Sequence, residues 1–368
     1  MPERTLKVLA ICSFPAAFPS TRYRLLQYIE PLRELGVEME YRPFFNAEEH
    51  RGYFDDPRIF QRLSTVVRPL IRRFVDIVRA SKADVVFVQR EALPFGPGFF
   101  EFAYRTVGPP IVLDLDDAVY IPYQAGRYGK LGRILKFYGK SDRLIRSAHT
   151  VVCGGQFLAD YVNKRGGRAV AIPTTVDKDI FAPAERRSDV PVLGWIGTPS
   201  SFPYLKAIFP AIARLAKKHR FKLLLCGTGE DDIAIEGLEI DNQPWSLETE
   251  VDDFRSLDIG LYPLVENEHQ SLEFIQGKSG FKAIQYLALG IPYVVSPVGV
   301  AASIGEPGVT HFEARTENDW VENLDRLLTD RTLRNEMGKH GREHFLREYD
   351  LEKWATVLAQ ILKDAAGK

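Results

Sequence analysis

Two patterns of hydrophobic residues take turns along the chain: short continuous apolar runs, and longer segments with helical spacing. Short apolar runs, such as residues 6–12, 84–89 and 192–196, predict strands that are buried on both faces, as in parallel sheets. The stretches between them, such as residues 22–35 and 156–165, have apolar residues three and four positions apart, which predicts helices. Strands that alternate with helices in this way predict an α/β fold with parallel sheets.

The alternating pattern occurs twice. It runs to residue 172, stops at a polar, proline-containing stretch at 181–191, and restarts at residue 192. We therefore predict two doubly wound, Rossmann-like domains, an N-terminal one at 1–183 and a C-terminal one at 190–349.

Residues 277–299 are the most informative segment. A glycine-rich turn precedes a helical pattern that ends at Gly290, and a short apolar strand follows. Residues 278–280 would lie at the start of the helix, where free backbone N–H groups and the helix dipole favour a phosphate. Lys278 and Lys282 add two cations one helical turn apart. The alternative is an ordinary helix–strand unit with two solvated lysines.

In the first half, polar residues follow several predicted strands, at the edge where doubly wound sheets bind ligands. Arg22 is a candidate anion contact after the first strand, and Arg90 and Glu91 follow the strand at 84–89. Another strand leads into Asp-Leu-Asp-Asp at 114–117. Carboxylates this close repel one another, so a metal, a catalytic base role or arginines such as Arg90 should offset them. Capping of the next turn is the structural alternative.

Composition narrows the class of function. The 48 basic and 49 acidic residues give a net charge of −1, which argues against binding to nucleic acid. The three cysteines are far apart and the seven histidines lack zinc-ligand spacing, so we expect a reduced, cytoplasmic protein. Residues 127–147 combine an apolar face with a basic face. They predict either a solvated helix or a peripheral contact with the inner face of a membrane, or with a phosphorylated lipid acceptor.

Taken together, these segments resemble the GT-B glycosyltransferases of the large retaining group, glycosyltransferase family 4. The strongest similarity is Gly-Lys-Ser-Gly-Phe-Lys at 277–282 and Gln-Tyr-Leu-Ala-Leu-Gly-Ile-Pro at 285–292. Weaker similarities lie at 173–177, 194–197 and 338–348. The resemblance covers nearly the whole chain. It implies a GT-B fold with two Rossmann-like domains facing across a cleft, and a final segment at 350–368 that packs back on the first domain.

The resemblance also implies an activity. A hexosyltransferase-type enzyme of polysaccharide biosynthesis would move a sugar, with retention, from a nucleoside-diphosphate sugar to a glycan or lipid-linked acceptor. It implies no metal and no cofactor. We expect Asp116 or Asp117, positioned by Arg90, to orient or deprotonate the acceptor hydroxyl, and Lys278 to stabilise the leaving diphosphate. The candidate substrate-binding residues are Arg22, Glu91, Asp114, Gly197, Thr198, Gly227, Trp245, Ser279, Gly280, Phe281, Lys282 and Gln285.

The chain departs from the family pattern in the donor-binding half. The family usually has glutamates where this chain has Gly277 and Gln285. The Gln285 amide can still bond ribose hydroxyls, whereas Gly277 has no side chain to contact the sugar. An arginine and a lysine that are usual after the first strand of the second domain are absent from residues 197–202. We therefore expect Lys278 and Lys282 to offset the charge of the diphosphate.

Three other functions remain open. Asp114 and Asp116 match the Asp-x-Asp metal motif of the GT-A glycosyltransferases, which have one α/β domain and typically need Mn²⁺ or Mg²⁺. A GT-B epimerase would release a changed sugar nucleotide without using an acceptor. A non-catalytic protein would bind the nucleotide sugar and not transfer it.

Overall fold

The structure, a computed structural model of the chain, describes residues 4–54, 58–121, 137–184, 190–267 and 270–367. The chain divides into two compact units, one formed by Met1–Thr174 with Leu351–Lys368 and the other by Thr175–Asp350. Each unit contains a six-stranded sheet. Among the described residues, no helix is both long enough and apolar enough to cross a lipid bilayer.

The sheet of the first unit is entirely parallel. Its strands are β1 (Leu6–Cys12), β2 (Val37–Pro43), β3 (Val85–Gln89), β4 (Ile111–Leu115), β5 (Thr150–Cys153) and β6 (Ala169–Ala171). Their order is β2-β1-β3-β4-β5-β6, so the winding direction reverses between β1 and β3. Such a reversal opens a crevice at the carboxyl ends of the strands, where open α/β sheets bind ligands.

Helices connect these strands, as parallel pairing requires. They are α1 (Pro19–Arg24), α2 (Ile29–Glu34), α3 (Ala47–Phe54), α4 (Ile59–Ala80), α5 (Phe99–Thr106), α6 (Lys140–Ser147) and α7 (Gln156–Lys164).

The sheet of the second unit is also parallel. Its strands are β7 (Val192–Ile196), β8 (Lys222–Cys226), β9 (Glu239–Gln243), β10 (Ile259–Tyr262), β11 (Tyr293–Val295) and β12 (His311–Glu313). Their order is β12-β11-β10-β7-β8-β9, which reverses beside β7. The helices are α8 (Phe202–Lys206), α9 (Phe209–Ala216), α10 (Glu250–Arg255), α11 (Leu272–Gln276), α12 (Phe281–Ala288), α13 (Glu317–Thr329) and α14 (Arg331–Glu348).

The last helix, α15 (Leu351–Ala365), belongs to the first unit. Its buried residues Leu351, Leu358 and Leu362 join the apolar cluster that contains Val8 and Phe87 of the first sheet. Burial of these leucines stabilises the packing of α15 in the first unit, since each fully buried leucine side chain contributes about 1.5–3 kcal/mol to the free energy of unfolding.

The structure corrects several sequence-based element predictions. The helix predicted at 22–35 is divided into α1 and α2 by a 3₁₀ turn at Leu26–Tyr28. Two short helices, α8 and α9, connect β7 to β8, and Pro210 lies in the first turn of α9, where a backbone N–H has no partner within the helix. Elements that the pattern did not reveal are β9, β12, α3, α5 and α11. Of the helix predicted at 127–147, α6 forms the end, and residues 122–136 lie outside the described residues.

Candidate functional site

Arg90 organises the predicted acidic cluster of the first unit. It directly follows β3 and has a left-handed backbone, with φ of 62°. Its Nε donates to Asp116 Oδ1 at 2.5 Å, and its Nη2 donates to Oδ2 of both Asp116 and Asp117 at 2.8 Å. Gly154, after β5, permits this packing, because an added Cβ would lie 2.9 Å from the carbonyl oxygen of Asp116. Arg90, Asp116 and Asp117 are therefore brought together at the carboxyl end of the sheet.

The two carboxylates differ in availability. Burial raises the pKa of Asp116, but the charge and hydrogen bonds of Arg90 outweigh this effect, and the net pKa lies below its ordinary value. The side chain of Asp116 is only 6% exposed, compared with 30% for Asp117. Asp116 is thus an ionised carboxylate whose oxygens are occupied, and Asp117 is the better placed of the two to contact a substrate.

Asp114 lies inside β4, and its carboxylate is held by Arg24. The Arg24 Nε lies 3.2 Å from both carboxylate oxygens, and Nη2 donates to Oδ1. Arg24 Nη1 also donates to the carbonyl oxygen of Ile172 at 2.6 Å, so Arg24 connects α1 to β4 and to the residue that follows β6. Both side chains are fully buried. The assignment of Asp114 to substrate binding remains a prediction that this geometry does not favour, because the carboxylate presents no surface to a ligand.

Glu91 and Arg22 also have local partners. The Glu91 Oε2 lies 2.7 Å from Lys140 Nζ, and both side chains are buried. Its carbonyl oxygen accepts a hydrogen bond from Ser13 Oγ at 2.8 Å. The guanidinium of Arg22 lies over the Tyr23 ring, 4.7 Å from its centroid. Glu91 therefore supports the loop after β3, and Arg22 lies in α1 close to Tyr23.

In the second unit, two glycines and two tryptophans pack where β7, β8 and β9 end. A Cβ on Gly197 would lie 2.2 Å from Cζ2 of Trp195, so the indole ring occupies that space. A Cβ on Gly227 would lie 2.4 Å from the carbonyl oxygen of Gly197 and 3.2 Å from Cβ of Trp245. Gly227 is also left-handed, with φ of 78°. The candidate residues Gly197, Gly227 and Trp245 are therefore neighbours, and glycine is required at both turns.

Both predicted lysines lie where α12 begins. The helix follows Gly280, which has a left-handed φ of 69°, and its first turn contains no acidic residue. The Nζ of Lys278 lies 5.2 Å from the ring centroid of Phe274. The Nζ of Lys282 lies 5.4 Å from the ring of Trp195, the ring that packs on Gly197. The two cations and the turn after β7 thus adjoin one another.

The charge of Lys282 is poorly stabilised in the free protein. Burial and the charge of Lys278 lower its pKa to about 8, and Glu250, at the start of α10, only partly opposes them. An incoming anion would restore the balance of charge, so this arrangement favours binding of a phosphate or diphosphate.

The remaining donor-site candidates lie on the same segment or on the turn after β7. Ser279 and Phe281 flank Gly280 and are half-buried. Gln285 is buried in α12, one turn beyond Lys282. Thr198 is exposed, and its hydroxyl lies 3.0 Å from that of Ser200.

Sequence reasoning missed three charged residues that shape these sites. Arg24 neutralises Asp114, Lys140 pairs with Glu91, and Glu250 acts on the charge of Lys282. One indication of the role of Arg24 was present in the sequence, because it lies only two positions after the candidate anion contact Arg22. Lys140 and Glu250 lie far in sequence from Glu91 and Lys282, so the local pattern around each residue does not reveal its partner.

Residues 212–360 match a family model described as glycosyl transferase-like. This match covers less than half of the chain, and it includes Lys278, Lys282 and Gln285. No curated protein matches the chain in sequence.

Solved structures match the chain over almost its full length. A glycosyltransferase from Rickettsia africae has 14% identity and a TM-score of 0.70, and covers 99% of both chains. Sucrose-phosphate synthase from Thermosynechococcus elongatus has 15% identity and a TM-score of 0.69, over 97% of this chain and 98% of that chain. HepE from Anabaena, solved in complex with UDP-glucose, has 13% identity and a TM-score of 0.69, over 98% of this chain and 100% of that chain.

The structural matches define the fold of the protein. The fold is GT-B, with one parallel α/β sheet in each unit, which excludes the single-domain GT-A alternative. Residues 212–360, most of which lie in the second unit, are in addition similar to the glycosyl transferase-like family.

Proposed function

We propose that the protein transfers a hexosyl unit from a nucleoside-diphosphate sugar to a glycan or lipid-linked acceptor. In this proposal, the transfer retains the anomeric configuration and requires no metal or cofactor. The observation that carries the proposal is the lysine pair at the start of α12, beside the turn that contains Gly197. Membership of glycosyltransferase family 4, suggested by the motif at 277–299, is part of the same proposal.

The second unit would bind the donor. Lys278, Lys282 and the free N–H groups that begin α12 would bind the diphosphate. Trp245 adjoins Gly227, which suits a residue that packs beside the nucleoside base. Gln285 would bond the ribose through its amide. The structure of HepE with UDP-glucose supports a donor of this chemical class for a chain of the same fold.

The lysines would also lower the barrier of transfer. When the bond between the anomeric carbon and the diphosphate breaks, negative charge develops on the leaving oxygen. Groups that interact more strongly with this charge than with the bound donor stabilise the transition state. Lys278 and Lys282 supply such charge without a metal, as the proposal requires.

The first unit would activate the acceptor. Asp117 would accept a hydrogen bond or a proton from the attacking hydroxyl, and Asp116 would hold Arg90 in place. The bonds from Arg90 to both carboxylates fix the direction of Asp117. We further propose that the acceptor is lipid-linked or a surface polysaccharide. The protein would work in the cytoplasm and contact the membrane peripherally through 127–147.

A panel of nucleoside diphosphates and their sugars tests this function. We expect one base to raise the melting temperature of the full chain, and the matching sugar nucleotide to be consumed only when an acceptor is present. A stabilising nucleotide that is never consumed would indicate a binding protein, and consumption to an altered sugar nucleotide without acceptor would indicate an epimerase. Absence of any shift across the panel would overturn the proposed donor site.

A further inference from the structure

Helix α4 buries charged residues and exposes apolar ones. Arg73 and Asp76 are fully buried, and Nη1 of Arg73 donates to Oδ2 of Asp76 at 2.7 Å. Nη2 of Arg73 also donates to the carbonyl oxygen of Cys12 at 2.6 Å. The large apolar residues of the opposite face are each between 45% and 60% exposed: Val67, Ile71, Phe74, Val75 and Val78. Soluble proteins normally bury such a face, and its exposure indicates a surface for interaction.

Two phenylalanines of α5 extend this surface. Phe99 and Phe102 are 52% and 65% exposed, and the rings of Phe74 and Phe99 lie 6.4 Å apart between centroids. We call the exposed residues Val67, Ile71, Phe74, Val75, Val78, Phe99 and Phe102 the apolar face.

A cationic cavity adjoins the apolar face. It has a volume of about 500 Å³ and is lined by Phe99 and Phe102 together with Arg105, Arg143 and Arg146. These arginines are exposed, and none of them forms an ion pair with another described residue. We call this feature the arginine cavity.

The acidic residues of α4, α5 and α6 cannot neutralise this cavity. Asp76 is buried against Arg73, and Glu101 is buried and accepts a hydrogen bond from the backbone N–H of Ala92 at 2.8 Å. Asp142 pairs with Arg165 at 2.7 Å. The surface is therefore apolar and cationic, with no carboxylate on these helices left to balance it.

An anionic lipid surface complements both properties. Apolar side chains enter the boundary between headgroups and acyl chains, and arginines bind lipid phosphates. A second copy of the chain fits less well, because a symmetric contact through the same face would bring like charges together.

We propose that α4 and α5 dock the protein on an anionic phospholipid bilayer. The apolar face enters the interface, and the arginine cavity binds a headgroup phosphate. This docking rests on the peripheral membrane contact of the proposed function and deepens it, since Arg143 and Arg146 lie within 127–147. Vesicle binding tests it separately from sugar transfer, because the residues involved differ from Arg90, Asp116 and Asp117.

Flotation of the full chain with vesicles tests the apolar face. We expect binding to vesicles of phosphatidylcholine with phosphatidylglycerol, and a decrease of about 10-fold or more in affinity for the Ile71→Ser/Val78→Ser variant. The matched control is Val309→Ser/Leu346→Ser, which changes two exposed apolar residues of the second unit and should bind like the original protein.

Charge-neutralising variants test the arginine cavity. Arg143→Gln/Arg146→Gln should bind anionic vesicles about 30-fold more weakly, since each basic residue contributes at the membrane surface. Arg220→Gln/Arg331→Gln removes the same charge from exposed positions of the second unit and should have little effect. Added sodium chloride should weaken the binding, because it screens the attraction between the arginines and the lipid phosphates.

Several outcomes would overturn this docking site. If the protein bound pure phosphatidylcholine vesicles as tightly as vesicles with phosphatidylglycerol, the arginines would have no part in the binding. A concentration-dependent dimer that Ile71→Ser/Val78→Ser abolishes would identify a second copy as the occupant. A lower melting temperature of that variant in the absence of vesicles would show that the chain itself covers the face.

Discussion

The ammonium group of Lys282 lies 5.4 Å from the centre of the Trp195 ring, and Gly197 packs against the same ring. This arrangement places a cation beside the turn after β7 without a carboxylate in the first turn of its own helix. Burial and the charge of Lys278 lower the pKa of Lys282 to about 8. The charge of this site therefore changes within the pH range of ordinary assays.

The affinity for the nucleoside diphosphate should decrease as the pH rises through about 8. The diphosphate prefers the ammonium form of Lys282, so binding is strongest below the pKa of the free protein. Above it, the dissociation constant should rise by at most about tenfold for each pH unit. Calorimetric titration from about pH 7 to about pH 9.5 measures this dependence. Lys282→Arg stays charged over this range, so its binding should remain constant, and an unchanged slope in that variant would contradict the assignment.

Replacement of Lys278 should impair the chemical step. Because Lys278 would stabilise charge on the leaving diphosphate, Lys278→Ala should lower turnover by about 100-fold or more. Release of the nucleoside diphosphate during transfer provides the measurement. Lys217→Ala, at an exposed lysine of the same unit, is the control and should retain normal turnover. Near-normal turnover in Lys278→Ala would exclude this lysine from catalysis.

Gly197→Ala should destabilise the second unit and weaken donor binding. The new Cβ would lie 2.2 Å from Cζ2 of the buried Trp195, so the ring or the turn must move. Overpacking of this kind typically costs about 1–3 kcal/mol in the free energy of unfolding. Denaturant unfolding and nucleotide titration measure the two effects. Gly139→Ala, whose Cβ would have no neighbour within 4 Å, should leave both quantities unchanged.

The sequence predicted elements whose signal is local. The bounds of β1 and β7 agree with the apolar runs at 6–12 and 192–196, because strands that are buried on both faces consist mostly of apolar residues. β9 was missed because it is polar and partly exposed. The sequence of α4 does not show which face of the helix is buried, since burial depends on the tertiary partners of Arg73 and Asp76.

The sequence indicated where the candidate segments lie relative to the strands, but not which residues their side chains contact. The order of a doubly wound sheet places the segments at 90–91, 114–117 and 277–285 at ligand-binding edges. The partner of each charge was not predictable, because Arg24 and Asp114 are 90 positions apart in sequence. Such partners decide whether the carboxylate of an aspartate is held in a buried ion pair or can accept a proton from a substrate.

Asp117→Asn should reduce transfer without weakening donor binding. The asparagine keeps an oxygen that can accept the hydrogen bond from Arg90 at 2.8 Å, so the arrangement around Asp116 should persist. It loses the carboxylate that would accept the proton of the acceptor hydroxyl, and removal of such a base typically lowers the rate by about 10²–10⁴-fold. Steady-state kinetics with varied acceptor, together with nucleotide titration, separates the two quantities. Asp160→Asn, at an exposed aspartate of α7, is the control for loss of one negative charge in the same unit. An unchanged rate for Asp117→Asn would remove this residue from the active site, whereas a loss of donor affinity equal to the loss of rate would assign it to binding.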